Sequence, residues 1–504
     1  MRVFLLNAPF LPKYSRSQRS PAVTKSGTLY YPYWLAYATG VLEREGHQAK
    51  LVDAAAANYD VGDVMREADE LRPELIVLDT STASFYTDVE TGEALKARFP
   101  GSKLVMVGTH VSATPEESLE RSREILAVTR KEYDYTLRDL VTAIEGGTDL
   151  TKVDGITFRG DDGTIVHNPD RPMITDLDEL PFVAEVYKRH LDPWIESYFY
   201  AITRYPVMSI ISGRGCPFKC TYCLYPQTMH GHSYRYRSVE NVVAEFEYIK
   251  YNFPQIAEIF VEDDTLTVNK KRCRELSGEL IRRNVNMTFT CNSRADVDAY
   301  TLQLLKKAGC RLLCVGVESA DQQILDNVQK RITLDKIRAF VKDAKSAGLM
   351  IHGCFMVGNP GETRETLQKT LAFAKELNPD TAQFFPLMVY PGTKAYEWAK
   401  EQGYLSTTRY DEWLTPDGLH NSVVQRPDLS HEELVDFCDE ARRQFYFRPA
   451  YIGYKLRQSA TSWREAKRTA KSFKTFLPYL MRRSLAASNK AGDDERTPAG
   501  SGAR

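Results

Sequence analysis

The sequence predicts an α/β protein made of two successive parallel-sheet units, one doubly wound and one an open barrel, with a helical extension behind them. Three observations carry this. Residues 1–150 alternate short apolar runs with stretches of helical periodicity. Residues 205–400 repeat that alternation at the spacing of βα units. In the second stretch the polar residues gather where the apolar runs end, which is where parallel barrels place their active sites. At 504 residues the chain is long enough for two or three domains, and 43% hydrophobic with 26% charged residues is ordinary for a globular protein.

In the first unit, Val3 to Leu6, Lys50 to Asp53, Leu75 to Asp79 and Leu104 to Val107 read as strands, and Tyr33 to Glu45 as a helix stopped at Gly46. Ligands of such sheets bind beyond the carboxyl ends of the strands, where Asp53, Thr80, Ser81, Gly108 and Thr109 would cluster. Residues 151–204 read as a linker. It opens with a hairpin around an Asp-Gly turn and continues through Asn168-Pro and Arg171-Pro into an aromatic stretch with Tyr187, Trp194, Tyr198 and Tyr200. These aromatics serve either as packing between domains or as lining of a substrate cavity.

The second unit opens with the apolar run Val207 to Ile211, followed at once by Gly213-Arg-Gly-Cys216-Pro-Phe-Lys-Cys220-Thr-Tyr-Cys223. C-x3-C-x2-C spacing lets one short loop bring three thiolates around an iron–sulfur cube, leaving one iron without a protein ligand. A structural zinc site would need a fourth ligand, and no cysteine lies close enough in sequence to be an obvious one. Nine cysteines is an odd count for a disulfide framework. Later strands are Glu258 to Glu262, Met287 to Cys291, Leu312 to Val317, Met350 to Val357 and Thr381 to Leu387. At their ends stand Glu262-Asp263-Asp264, Asn292-Ser-Arg294, Glu318-Ser319, Gly358-Asn-Pro-Gly-Glu362 and Tyr390-Pro-Gly-Thr393. Cys273, Cys310, Cys314, Cys354 and Cys438 show no ligand spacing and read as small buried hydrophobes, although Cys291 and Cys354 can face the cavity.

The cysteine loop resembles that of the radical S-adenosylmethionine (SAM) superfamily. The resemblance implies a [4Fe–4S] cluster on Cys216, Cys220 and Cys223, with SAM chelating the open iron and cleaved there to methionine and a 5′-deoxyadenosyl radical. It places Asp263 and Asp264 near the methionine amine, Arg294 and Glu318 near the methionine and ribose, and Gly358 and Tyr222 near the adenine. Each can instead be a solvated rim residue or a helix cap. The first unit resembles the cobalamin-binding domain that precedes many such barrels, which implies cobalamin beside Asp53, Thr80, Ser81 and Gly108. A vestigial or substrate-holding domain is the alternative. Where a Gly-Glu pair is usual after the fifth strand, this chain has Arg130-Lys-Glu132, which would crowd a corrin.

More narrowly, Cys223-Leu-Tyr-Pro-Gln-Thr228, Gly231-His-Ser-Tyr-Arg-Tyr-Arg-Ser238, Val261-Glu-Asp-Asp-Thr-Leu-Thr267 and Arg443-Gln-Phe-Tyr-Phe-Arg448 are similar to the hopanoid-biosynthesis branch of that superfamily. That likeness implies hydrogen abstraction from a polyol or aminosugar-type substrate, lipid-linked in one version, followed by rearrangement or dehydration. Cobalamin-dependent methyl transfer is the second reading, and a cluster- or zinc-bearing sensor the third. His230, His232, Tyr234, Arg235 and Arg237 would hold a polar ring or form a solvated loop. An electron donor such as flavodoxin or ferredoxin is implied.

Net charge is −1, so no global field selects nucleic acid. The N-terminus lacks the apolar core of a signal peptide and no run is long enough to span a membrane, so a cytoplasmic protein is expected. Residues 401–486 read as a helical extension. Its segment Lys455 to Lys490 carries ten Lys or Arg against one acid with interleaved aromatics, which suits either an anionic membrane surface or a helix packed on the barrel. Residues 487–504 read as a disordered tail.

Overall fold

A computed structural model describes residues 1–461 together with Ala466, Thr469, Ala470 and Lys474. Most of the basic segment Lys455 to Lys490 and all of 487–504 therefore lie outside the described residues. Five parallel strands, β1 (Arg2–Asn7), β2 (Gln48–Asp53), β3 (Leu75–Asp79), β4 (Lys103–Val107) and β5 (Ile125–Thr129), stand in the order 2-1-3-4-5. Helices cover both faces, so Val3, Phe4, Leu5 and Leu6 of β1 are all fully buried, as a near-continuous apolar run requires. The hairpin expected in the linker, β6 (Ile156–Arg159) and β7 (Ile165–His167), joins this sheet as two antiparallel edge strands.

The second sheet is all parallel. Its strands are β8 (Val207–Ile210), β11 (Glu258–Val261), β12 (Phe289–Ser293), β13 (Cys310–Glu318), β14 (Met350–Val357) and β15 (Thr381–Pro386), in that spatial order. A separate two-stranded ribbon, β9 (Gly213–Arg214) with β10 (Arg235–Tyr236), carries the cysteine loop. β8 and β15 end the row without pairing, so the barrel is open. Its last edge is satisfied by side chains. The helix His431–Tyr446 packs on β15, and the Tyr446 hydroxyl accepts from Ala382 N at 2.9 Å and donates to Ala382 O at 2.7 Å. Arg442 of the same helix donates to Phe384 O.

The two sheets share one continuous buried core. The aromatic linker packs between them. Tyr198 stacks on Tyr31 with ring centroids 3.7 Å apart and donates to Asp53, while Tyr31 donates to the carbonyl of Val207 in β8.

A buried ion cluster forms the second junction. Arg214 donates to Asp134 at 2.6 and 3.1 Å and lies 3.5 Å from Glu132, and Arg235 grips Glu132 at 2.7 and 2.8 Å. Trp34 and Tyr37 present their rings to the Arg214 guanidinium. Burial drives the Glu132 carboxyl upward, but the two guanidiniums outweigh it and hold its pKa below the usual range. Glu132, read in the sequence as an obstruction to a corrin, is thus the acid that binds the N-terminal unit to the barrel.

Removing one partner of a buried pair leaves an uncompensated charge. Asp134→Ala is therefore expected to cost about 3–5 kcal/mol, seen as a lower denaturation midpoint with unchanged m. A loss below about 1 kcal/mol, the range of surface pairs, would show that the cluster is not needed for stability.

Candidate active site

The cysteine loop hangs from β9, and two acids at the end of β11 fix its backbone. Asp263 accepts from Ser212 N (2.6 Å), Gly213 N (3.0 Å), Ser212 Oγ (2.7 Å) and Tyr234 Oη (2.8 Å). Asp264 accepts from Gly215 N (2.9 Å) and holds His230 Nδ1 at 3.0 Å. Its other oxygen, Oδ1, is buried and has no protein partner. Burial pushes the Asp264 carboxyl up, but His230, Arg19 and the Gly215 amide outweigh it and keep the group below its ordinary pKa. Gly215, at φ +87°, could not be another residue, because a Cβ there would lie 2.2 Å from the carbonyl oxygen of Ser233.

Cys216, Cys220 and Cys223 all line a cavity of about 740 Å³ that runs down the barrel interior. Cys220 is buried and the other two are half-buried. Burial pushes the Cys216 thiol up to about 11 and raises that of Cys223, so both carry protons at neutral pH until a cation displaces them. Gln227 clamps the loop from behind, with Nε2 donating to the carbonyls of Cys223 (2.8 Å), Thr221 (3.1 Å) and Cys220 (3.4 Å). His232 Nδ1 sits 3.1 to 3.2 Å from the carbonyls of Phe218 and Cys216. Gln227 lies in the Cys223–Thr228 stretch that carries the family likeness, but its clamping role depends on the folded loop and cannot be read from the residue type.

Around the same cavity stand Tyr222, Asp264, Arg294 and Glu318. Tyr222 donates to Glu318 at 3.0 Å, and Lys330 Nζ reaches Glu318 at 2.7 Å and the Tyr222 oxygen at 3.1 Å. Burial lowers the Lys330 pKa, yet Glu318 outweighs it, so Lys330 stays a firm cation. Lys330 follows a helix, away from the strand ends where the sequence drew attention. Arg294 lies 3.5 Å over the ring of Phe218 inside the cysteine loop and donates to the Lys330 carbonyl at 3.0 Å.

Asp263 and Gly358 are placed differently. Asp263 is spent on the loop backbone, and Gly358, at φ +91°, faces Leu434 outside the cavity lining. His230, Tyr234, Arg235 and Arg237 also point away from the cavity, onto Asp264, Asp263, Glu132 and Glu245 respectively. They form the scaffold of the loop.

Asp53, Thr80, Ser81 and Gly108 do gather at the carboxyl ends of β1 to β4, and all are buried among the chain's own groups. Asp53 accepts from Asn7 and Tyr198, each at 2.7 Å, and Ser81 bonds Tyr14 at 2.6 Å. Gly108 is at φ +110°, where a Cβ would stand 2.4 Å from the Thr80 oxygen. Beyond these strands His110 Nδ1, Thr129 Oγ1 and Tyr133 Oη are buried with no protein partner. Buried polar atoms without a protein partner fit a hydrogen-bonding cofactor. His110 itself is kept neutral, burial lowering its pKa to about 3, and packs against Phe85 and Tyr410.

Residues 210–374 match the model of the radical SAM superfamily, and residues 19–141 that of the B12 binding domain. The chain is 31% identical over 427 residues to an uncharacterized methyltransferase of Pyrococcus horikoshii, covering 84% of this chain and 90% of that one. It is 27% identical over 431 residues to an anaerobic magnesium-protoporphyrin IX monomethyl ester cyclase of Rubrivivax gelatinosus, covering 84% and 75%. Hopanoid C-3 methylase of Methylococcus capsulatus is 25% identical over 385 residues, covering 75% and 70%. Among solved structures, a radical SAM methyltransferase of Kitasatospora setae with cobalamin and a [4Fe–4S] cluster superposes with a TM-score of 0.64 at 20% identity, covering 81% and 79%. At that identity the match speaks for the fold.

The strand ends also carry a pH signature. Burial pushes the Asp79 carboxyl up to about 7, with Asp88 adding and Arg16 opposing. The unfolded group titrates near 3.9, so the stability its proton contributes is complete below about pH 4 and lost as pH rises through about 7. Relative to the parent, Asp79→Asn should gain roughly 1.4 kcal/mol per pH unit across that window. A stability difference that stays flat from pH 4 to 8 would contradict this.

Proposed function

The chain belongs to the radical SAM superfamily, in the branch that carries a B12-binding domain, and we propose that it transfers a methyl group to an unreactive carbon of a small-molecule substrate. Its cofactors are a [4Fe–4S] cluster, SAM and cobalamin. The observation that carries methyl transfer is the 31% identity to an uncharacterized methyltransferase, sustained over 90% of that relative's length. Rearrangement or dehydration of a polyol, the first reading of the sequence, has no counterpart among the relatives described above and gives way to methyl transfer.

When bound, the cluster supplies the electron that cleaves SAM and the cobalamin carries the methyl group. Everything else is asked of the polypeptide. Cys216, Cys220 and Cys223 would hold the cluster as thiolates, and Gln227 holds the carbonyls of their loop. Asp264, with Oδ1 unspent, accepts from the ammonium of SAM. Arg294 and the Glu318–Lys330–Tyr222 group line the place for its carboxylate and ribose. Asp263 acts as a positioning residue through the loop backbone. In the N-terminal unit Thr80, whose Oγ1 has no protein partner, and Gly108 would stand on the cobalamin side, while Asp53 and Ser81 keep the strand ends in place.

A flavodoxin or ferredoxin is the electron donor this chemistry asks for, and nine unpaired cysteines suit a reducing compartment. No helix among the described residues is long and apolar enough to cross a membrane. A peripheral contact through the basic segment remains a proposal resting on its composition.

Product accounting tests the reading. Anaerobic protein reconstituted with cluster, cobalamin, SAM and a reductant should form S-adenosylhomocysteine and 5′-deoxyadenosine together, with a product heavier by one carbon. Cys223→Ala should abolish both nucleosides. A product of unchanged mass, or lighter by one water, formed with 5′-deoxyadenosine alone would restore rearrangement or dehydration.

A further inference from the structure

Deep in the cavity, one cysteine meets a histidine and a second cysteine that follow it 38 and 40 positions later in the sequence. Cys314 lies on β13, and His352 and Cys354 on β14. The strands are parallel neighbours with Cys314 opposite His352 and Gly316 opposite Cys354. Residues two apart on a strand share a face, so 314, 316, 352 and 354 all turn into the barrel, and all four line the cavity.

The two sulfurs are 3.9 Å apart, and one ligand atom from each of the three side chains lies within 4.8 Å of the others. That spacing selects among the chemistries two thiols can enter. A disulfide needs its sulfurs about 2.05 Å apart, far closer than these. Two thiolates on one tetrahedral zinc, each bond about 2.3 Å, stand about 3.8 Å apart. The observed separation matches the second geometry with almost no movement.

The surroundings are those of a metal-bound imidazole. His352 Nδ1 is 2.8 Å from Thr381 Oγ1, a contact that fixes the ring, while Nε2, 3.4 Å from Gln383 Oε1, would give up that contact to face the metal. Two sulfurs and a nitrogen suit zinc or a similarly soft cation and are a poor set for magnesium or calcium.

We propose that Cys314, His352 and Cys354 form a second metal site, separate from the cysteine loop, that binds one zinc-class divalent cation. Binding expels both thiol protons. Three protein ligands leave a fourth position, which opens to the cavity, where water or a donor atom of the substrate completes the tetrahedron. Gly316, opposite Cys354, lies under the Glu318 carboxylate and the Lys330 ammonium, which a Cβ there would meet at 2.2 and 2.7 Å, so the site adjoins that group from below. It therefore sits at the floor of the space whose rim carries the SAM-facing residues.

The metal alone is the probe. The full chain with Cys216, Cys220 and Cys223 all changed to Ala, equilibrated with zinc and dialysed against a weak chelator, should retain one zinc per chain. Adding Cys314→Ser and Cys354→Ser should take that to none. Cobalt(II) in place of zinc should give thiolate charge-transfer and tetrahedral d–d bands, both lost in His352→Gln, and Thr381→Val should weaken retention about 10- to 100-fold. If the triple-alanine chain folds poorly, the comparison moves to the cluster-loaded protein, where Cys314→Ser with Cys354→Ser should remove zinc and leave the iron content unchanged. Zinc absent from the folded chain, or equally retained without Cys314 and Cys354, overturns the site. Neither result depends on whether the enzyme transfers methyl groups.

Discussion

A guanidinium with no access to water holds the cysteine loop against the N-terminal sheet. Arg214 sits two residues before Cys216, fully buried, and taking it out of water costs several kcal/mol unless its charge is matched. Asp134 and Glu132 match it from the other unit, and with Arg235 the four groups form a neutral cluster of two cations and two anions. The faces of Trp34 and Tyr37 cover what the carboxylates leave. Because each member would be stranded without the others, the loop has one low-energy seat. The same logic continues on the barrel side, where Asp263 and Asp264 accept the backbone amides on either side of Arg214.

Much of this was legible in the chain. Strand runs such as Leu75 to Asp79 and Met350 to Val357 coincide with the observed elements, because parallel strands buried on both faces must be apolar throughout. The cysteine loop was legible too, since its three thiols are local in sequence. What escaped notice depends on pairing between distant segments. Lys330 acquires meaning only beside Glu318 and Tyr222, and Glu132 only beside Arg214 and Arg235. Cys314, His352 and Cys354 carry no sequence spacing to read, since it is the register of β13 on β14 that makes them neighbours.

The chemistry was legible at the level of cofactors and not of product. A cluster loop declares itself because the cluster constrains it. The cavity is lined by side chains such as Met356, Phe385 and Tyr390 that come from different elements, and no short motif summarises them. The proposal of methyl transfer rests on likeness over 84% of the chain to an uncharacterized methyltransferase, and not on a local motif.

The open side of the barrel has its own consequence. Where a closed barrel would zip its first and last strands together, β15 meets the phenol of Tyr446 and the guanidinium of Arg442. Because this edge is held by side chains of one helix and by that helix's buried face, substitutions in it can shift the wall and leave every backbone ladder of the sheet intact. The width of the reaction chamber and the stability of the scaffold can therefore be tuned separately, which frees descendants of this architecture to accept guests of very different girth.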